Sequence, residues 1–144
     1  MLMDFEPVSL RHIKEYAAAT GDWNQLHVDE RAAATGPHGR IVAPALMFQT
    51  VCREIIPEAQ LMPDGQHANL GVEGVSGRAV FAGQEIELFE PVHVGDVITM
   101  QERLMGIEEK QGRSGALAIV TTEETYTNQD GGPIARTLTT RIFR

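Results

Sequence analysis

A carboxylate, a carboxamide and an imidazole lie within six residues of one another, in Asp22, Asn24 and His27. Such groups can hold a water molecule and move its proton, because histidine titrates near neutrality and a nearby carboxylate can orient the same water. A helix would separate Asp22 and His27 by about 140° around its axis, and a strand would place them on opposite faces. We therefore predict that residues 22–28 form a turn or irregular loop after Gly21, in which the two side chains converge.

Two helices are predicted to flank this loop. Ser9 is a suitable N-cap for a helix over 8–19, and Asp29 is a suitable N-cap for a short helix over 29–34. The loop would then be held between two helix ends, a setting in which loops often carry function. Trp23, inside the loop, is expected to pack against the core.

A third helix is predicted after Pro44, where an apolar run continues to Pro57. The apolar residues cover most of a helix circumference, so this helix should be buried on nearly all sides. The run is too short to span a bilayer, so other parts of the protein must cover it. Cys52, the single cysteine, excludes an internal disulfide, and its place in this run favours buried packing over a reactive thiol.

The second half of the chain carries the alternating and β-branched patterns of strands. Residues 57–80 are predicted to form a long connection with little regular structure. In the first strand, Ile86 and Leu88 alternate with glutamates and are expected to face the core. Short turns would join the strands into an antiparallel meander that curls around the buried helix. The four predicted strands begin at Gln84, Val97, Ala116 and Ile134.

Composition and length restrict the class of protein. With 144 residues the chain is most simply one domain, over 1–144, and its net charge of −8 argues against nucleic acid or an anionic membrane as a partner. The first residues lack the pattern of a signal peptide, which predicts a cytoplasmic location. No metal site is expected, because Leu26 and His27 break the calcium-loop pattern and histidines at zinc-ligand spacing are lacking.

The chain resembles the MaoC-like hydratases and dehydratases over nearly its whole length. Residues 20–29, Thr-Gly-Asp-Trp-Asn-Gln-Leu-His-Val-Asp, are similar to the Asp-x-Asn-Pro-x-His motif of (R)-specific enoyl-CoA hydratases, with Gln25 in place of proline. Further matching segments follow in order within 39–47, 83–96 and 109–131. The last of these are similar to N-terminal-type MaoC dehydratase subunits.

This resemblance implies an α+β hotdog fold, a curved antiparallel sheet wrapped around a long central helix. It also implies a hydro-lyase that reversibly adds water to trans-2-enoyl thioesters, giving (3R)-3-hydroxyacyl thioesters on coenzyme A or an acyl carrier protein. Asp22 and His27 would be the catalytic pair and Asn24 a supporting residue. No cofactor is implied. The expected assembly is a homodimer, with a heterodimer with a second MaoC-like subunit as the alternative.

The segment before the third helix departs from the active hydratases. Those enzymes carry Ile-Ala-His-Gly-Met there, and the glycine amide donates to the developing oxyanion. The matching residues here are Ala43-Pro44-Ala45. Because Pro44 has no N–H, the Ala45 amide is the predicted donor.

Two alternative functions follow from the same comparison with the family. Val-Ala-Pro at 42–44 is usual in subunits that support a catalytic partner, so a non-catalytic partner subunit of a heterodimeric dehydratase is one alternative. A hotdog thioesterase is the other, in which a carboxylate activates water against the thioester carbonyl.

Overall fold

A computed structural model describes residues 2–63, 65, 72–75 and 77–144, and leaves the side chains of 2–4 undescribed. Within these residues, none of the helices has the length and apolar character needed to cross a membrane. The predicted cytoplasmic location stays a prediction. The elements in chain order are β1 (Leu2–Asp4), α1 (Leu10–Thr20), α2 (Gln25–Val28), α3 (Glu30–Thr35), α4 (Phe48–Val51), a 3₁₀ turn (Glu58–Gln60), β2 (Ala79–Leu88), β3 (Thr99–Gly112), β4 (Gly115–Thr127) and β5 (Pro133–Phe143).

Helix α1 begins and ends as its capping residues predict. The Ser9 hydroxyl accepts from the His12 N–H at 3.1 Å, and the His12 Nδ1 accepts from the Ser9 N–H at 3.3 Å, so His12 completes a capping box. Val8 and Ile13, on either side of the cap, are both buried. Gly21 ends the helix with φ of 72°, a left-handed conformation that glycine adopts without strain.

Within the turn or irregular loop predicted over 22–28, residues 25–28 form one helical turn, α2. The Asn24 side chain begins α2 by accepting from the Leu26 N–H at 3.0 Å. Asp29 ends α2 and caps α3, where its carboxylate accepts from the Arg31 N–H at 2.8 Å. The predicted second helix is confirmed to within a residue at each end, and Gly36 is its C-cap.

The predicted helix after Pro44 is much shorter than expected. Residues 45–47 form a turn and only Phe48–Val51 is α-helical. Phe48 and Cys52 are buried, as predicted, but Ile55 is 98% exposed. The prediction of a long helix buried on nearly all sides is therefore wrong for this chain, because an apolar run does not by itself distinguish a buried turn from a buried helix.

The strands form one five-stranded sheet in the order β1-β3-β4-β5-β2. β1 pairs antiparallel with β3, from Leu2 opposite Gln101 to Asp4 opposite Thr99. The antiparallel sheet and few helices confirm the α+β class. The simple meander is wrong, however, because β2 lies next to β5 at the far edge of the sheet. Ile86 and Leu88, predicted to face the core, are exposed.

The described residues cluster into two compact units. Unit 1 comprises Met1–Arg53, Glu87–Gln101 and Thr125–Arg136, and unit 2 comprises Glu54–Ile86, Glu102–Glu124 and Thr137–Arg144. The prediction of a single domain over 1–144 is not tested by this division and stays a prediction. The predicted connection over 57–80 lies partly outside the described residues. Unit 1 holds the hydrophobic core, whose buried members include Val8, Ile13, Ala33, Ile41, Met47, Phe48, Val92, Ile98, Tyr126 and Ile134.

Unit 2 buries polar side chains along its strands. The buried Thr137 hydroxyl donates to the Glu124 carboxylate at 2.7 Å, and the Gln84 amide donates to the Thr139 hydroxyl at 2.9 Å. These bonds offset the cost of removing the polar groups from water. The candidate site lies elsewhere, in unit 1.

Candidate active site

Asp22 and His27 converge in unit 1. The Asp22 Oδ2 atom lies 3.5 Å from the His27 Nε2 atom. The side chain of Asp22 is 45% exposed and that of His27 is 10% exposed. The left-handed Gly21 turns the chain out of α1, and the single turn of α2 then brings His27 back toward Asp22.

The other imidazole nitrogen determines the tautomer of His27. The Nδ1 atom lies 2.7 Å from the Val42 carbonyl oxygen. Because a carbonyl only accepts hydrogen bonds, Nδ1 carries the proton and the neutral ring keeps a lone pair on Nε2. That lone pair faces the Asp22 carboxylate. Both atoms are then acceptors, and a water molecule that donates to each would satisfy the pair.

Asn24 contacts both parts of this site. Its side chain begins α2, the helix that carries His27. Its backbone N–H donates to the Asp22 Oδ1 atom at 3.3 Å, which leaves Oδ2 on the side of the imidazole. Asn24 is thus placed to hold the relative positions of the other two residues.

Ala45 is exposed and begins the turn at 45–47, directly after the buried residues Ala43 and Pro44. Within the described part of the chain, neither the Ala45 nor the Leu46 N–H donates to a backbone carbonyl. The chain reaches from Val42 to Ala45 in three residues, a span of at most about 11 Å. The turn therefore begins within about 11 Å of the carbonyl that holds His27.

Trp23 departs from the sequence prediction, and His93 makes a contact that the sequence did not predict. Trp23 is 63% exposed, so the prediction that it packs against the core is wrong. His93 was not predicted to be part of the site, yet its Nδ1 atom lies 2.9 Å from the Ile41 carbonyl oxygen, one residue before Val42. His93 lies 52 residues after Ile41 in the chain, so no local spacing pattern could have predicted this contact.

Among residues 2–63, 65, 72–75 and 77–144, no group of three or more His, Cys, Asp or Glu side chains could hold a metal ion. This observation does not test the prediction that the protein uses no metal or cofactor, which stays a prediction.

The sequence matches a known family over most of its length. The family model for the FAS1-like dehydratase domain region matches residues 4–137. The chain belongs to this family. The membership confirms the resemblance to MaoC-like proteins that the four motifs indicate.

Two curated relatives carry names for related reactions. A probable enoyl-CoA hydratase alpha subunit of Thermomonospora curvata is 30% identical over 136 residues, which are 90% of this chain and 43% of that protein. This chain thus spans less than half the length of that relative. The 3-hydroxyacyl-thioester dehydratase Z of Mycobacterium tuberculosis is 28% identical over 121 residues, covering 84% of this chain and 74% of that protein.

The fold is shared with solved hydratase structures. The (R)-hydratase from A. caviae, involved in PHA biosynthesis, superposes with a TM-score of 0.68 over 98% of this chain and 91% of that one, at 20% identity. The predicted hotdog fold is therefore confirmed for this chain. At this identity the likeness concerns the fold alone.

Proposed function

We propose that this chain catalyses the reversible hydration of trans-2-enoyl thioesters to (3R)-3-hydroxyacyl thioesters, with Asp22 and His27 as the catalytic pair. The observation that carries the proposal is the approach of Asp22 Oδ2 to the lone pair of His27 Nε2 at 3.5 Å. Membership of a dehydratase family and the names of the two relatives support the same reaction class.

In the proposed hydration, a water molecule lies beside Asp22 Oδ2 and His27 Nε2 and donates to both, because their separation of 3.5 Å leaves no room for it between them. His27 Nε2 takes one proton of the water as its oxygen bonds to C3 of the enoyl group. The C2–C3 π electrons move toward the thioester carbonyl and form an enolate. The enolate collapses as C2 takes the proton back from Nε2 of the His27 imidazolium, so that water has been added and the pair of residues is restored. Asp22 orients the water and stabilises the imidazolium while it exists.

The enolate oxygen needs a hydrogen-bond donor. Pro44 offers none, and we propose the Ala45 N–H for this role. It lies in an exposed first turn and makes no backbone hydrogen bond to the described residues. The donor would thus be supplied one residue later than in the family's Ile-Ala-His-Gly-Met pattern.

The direct test is a hydration assay of the purified chain alone with crotonyl-CoA. We expect loss of the enoyl absorbance and formation of (3R)-3-hydroxybutyryl-CoA, identified by chiral chromatography. An enoyl absorbance that falls only when a second MaoC-like subunit is added would overturn the proposal in favour of a partner subunit, the alternative that Pro44 favours. Release of free thiol without loss of the enoyl group would identify a thioesterase instead. Acyl carrier protein thioesters of the same acyl group test the second possible carrier.

We further propose that the chain assembles as a homodimer through β3. Among the described residues, β1 pairs with Thr99–Gln101, so Arg103–Gly112 of β3 has no neighbouring strand on that side. Leu104, Met105 and Ile107 of this edge are exposed. A long open edge with apolar side chains is a site for pairing with another chain. A heterodimer is the alternative, since the Thermomonospora relative is named as an alpha subunit.

Light scattering at micromolar concentration is expected to give twice the mass of one chain. Ile107→Lys should shift the mass toward that of one chain, because a charge would be placed in the interface. Ile55→Lys is the matched control, since Ile55 is exposed outside β3. A native chain that stays monomeric while it hydrates crotonyl-CoA would contradict the homodimer.

A further inference from the structure

Two consecutive peptide units before the 45–47 turn, Ile41–Val42 and Val42–Ala43, each form hydrogen bonds through both the carbonyl and the N–H. In the first unit, the Ile41 carbonyl accepts from His93 Nδ1 at 2.9 Å, and the Val42 N–H donates to the Leu26 carbonyl at 3.2 Å. Because the carbonyl and the N–H of a trans peptide point in opposite directions, these partners lie on opposite sides of the chain. His93 is thus on one side of this peptide and α2 is on the other.

In the second unit, Val42–Ala43, the N–H is on the side of residues 92–93 and the carbonyl is on the side of α2. The Ala43 N–H donates to the Val92 carbonyl at 2.8 Å, and the Val42 carbonyl accepts from His27 Nδ1 at 2.7 Å. The segment 41–43 is therefore fixed between α2 and residues 92–93. The carbonyl that sets the tautomer of His27 belongs to this segment.

His93 is the side chain that holds the far side of the segment. Its backbone N–H donates to the Asp96 Oδ2 atom at 2.7 Å, and Asp96 is buried. The Val92–His93 peptide is therefore held by Asp96 as well as by Ala43. The hydrogen bonds on either side of one peptide polarise each other, so losing one weakens the other.

We infer that His93 is a positioning residue for the proposed hydratase reaction, acting through the Ile41–Val42 peptide on His27. This inference rests on the proposed function. By holding the Ile41 carbonyl, His93 keeps the Val42 carbonyl aimed at His27 Nδ1. The imidazole then keeps its lone pair on Nε2, on the side of Asp22. The same bond also sets where the 45–47 turn begins.

Asparagine and leucine at position 93 provide a matched test, because the two side chains have nearly the same shape and only asparagine can donate a hydrogen bond. We expect His93→Leu to lower kcat for crotonyl-CoA by about 10- to 100-fold, since small displacements of catalytic groups have effects of this size. KM should change by less than about threefold. His93→Asn should restore kcat to within about threefold of the native value, because it returns a donor to the Ile41 carbonyl.

A second readout does not depend on turnover. Nitrogen-15 NMR of labelled histidine distinguishes protonated from unprotonated ring nitrogens. In the native chain, we expect the neutral forms of His27 and His93 to carry their protons on Nδ1. In His93→Leu, His27 should populate both tautomers, and in His93→Asn it should return to the Nδ1–H form. His38→Leu is the control, since His38 is exposed and touches His93 only edge-on, with ring centroids 6.3 Å apart.

The outcomes separate this inference from the proposed function. A folded His93→Leu variant with native kcat and a native His27 tautomer overturns the role of His93. If His93→Leu does not fold, a folded His93→Asn variant with kcat lowered tenfold or more, or a native His93 without a proton on Nδ1, overturns it instead. A native chain that hydrates no enoyl thioester contradicts the proposed function, while the tautomer comparison still tests the positioning of His27.

Discussion

His27→Asn is expected to lower kcat for crotonyl-CoA hydration by about 10³-fold, within the range that acid–base groups contribute. The asparagine amide can take the place of Nδ1 and donate to the Val42 carbonyl. It has no atom at the position of Nε2, which faces Asp22. The substitution therefore removes the proposed base and keeps the hydrogen bond that anchors it. The measurement is kcat beside the midpoint of urea unfolding, which should stay close to the native value.

His27→Ala separates the two functions of the ring. It should lose activity to the same extent and also lower the free energy of unfolding by about 1–3 kcal/mol, because the buried Val42 carbonyl loses its partner. His38→Asn is the control for replacing a histidine at an exposed position of the same unit. An asparagine variant at position 27 that retains more than a tenth of the native kcat would exclude His27 as the proton-transfer group.

Asp22→Asn is expected to lower kcat by about 10²-fold with little change in stability. The new side chain has the same shape, and its carbonyl oxygen can still accept from the Asn24 N–H. It lacks the negative charge that orients the water and stabilises the imidazolium. The Asp22 side chain is 45% exposed, so its replacement leaves no buried group without a partner.

Asp29→Asn is the matched control, because it removes the same charge two residues after His27. Asp29 caps α3 through its side chain, and asparagine caps helices about as well as aspartate. Its kcat should remain within about twofold of the native value. Equal losses of activity in both variants would mean that net charge, rather than the Asp22 carboxylate, sets the rate.

The features best predicted from sequence are those set by residues close together in the chain. Ser9, Asp29 and Gly36 begin or end helices because each forms hydrogen bonds with backbone groups at most four residues away. The expected convergence of Asp22 and His27 also followed from local geometry, because either a helix or a strand would have kept the two side chains apart. The turn of α2 between them is too short to be recognised by an apolar pattern.

The features that sequence reasoning missed depend on contacts between distant residues. The pairing of β2 with β5 places a strand at the far edge of the sheet, and alternation within β2 contains no information about its neighbour. The contact between His93 and the Ile41 carbonyl joins two segments that only the fold brings together. In the apolar run after Pro44, burial alone did not require a long helix, since a turn and four helical residues bury Phe48 and Cys52 as well.

The start of α2 also explains a departure from the family motif. Gln25, where proline is usual, is the first residue of this helix, and Asn24 before it has φ of −57° and ψ of 128°. The extended ψ of Asn24 is one that a residue before proline adopts, and the first helical position does not need an N–H. The observed backbone is therefore compatible with either proline or glutamine at position 25. They differ in the unfolded chain, where glutamine leaves more conformations to be lost on folding. The expected effect of glutamine here is thus a loss of conformational entropy on folding rather than a displacement of Asp22 or His27.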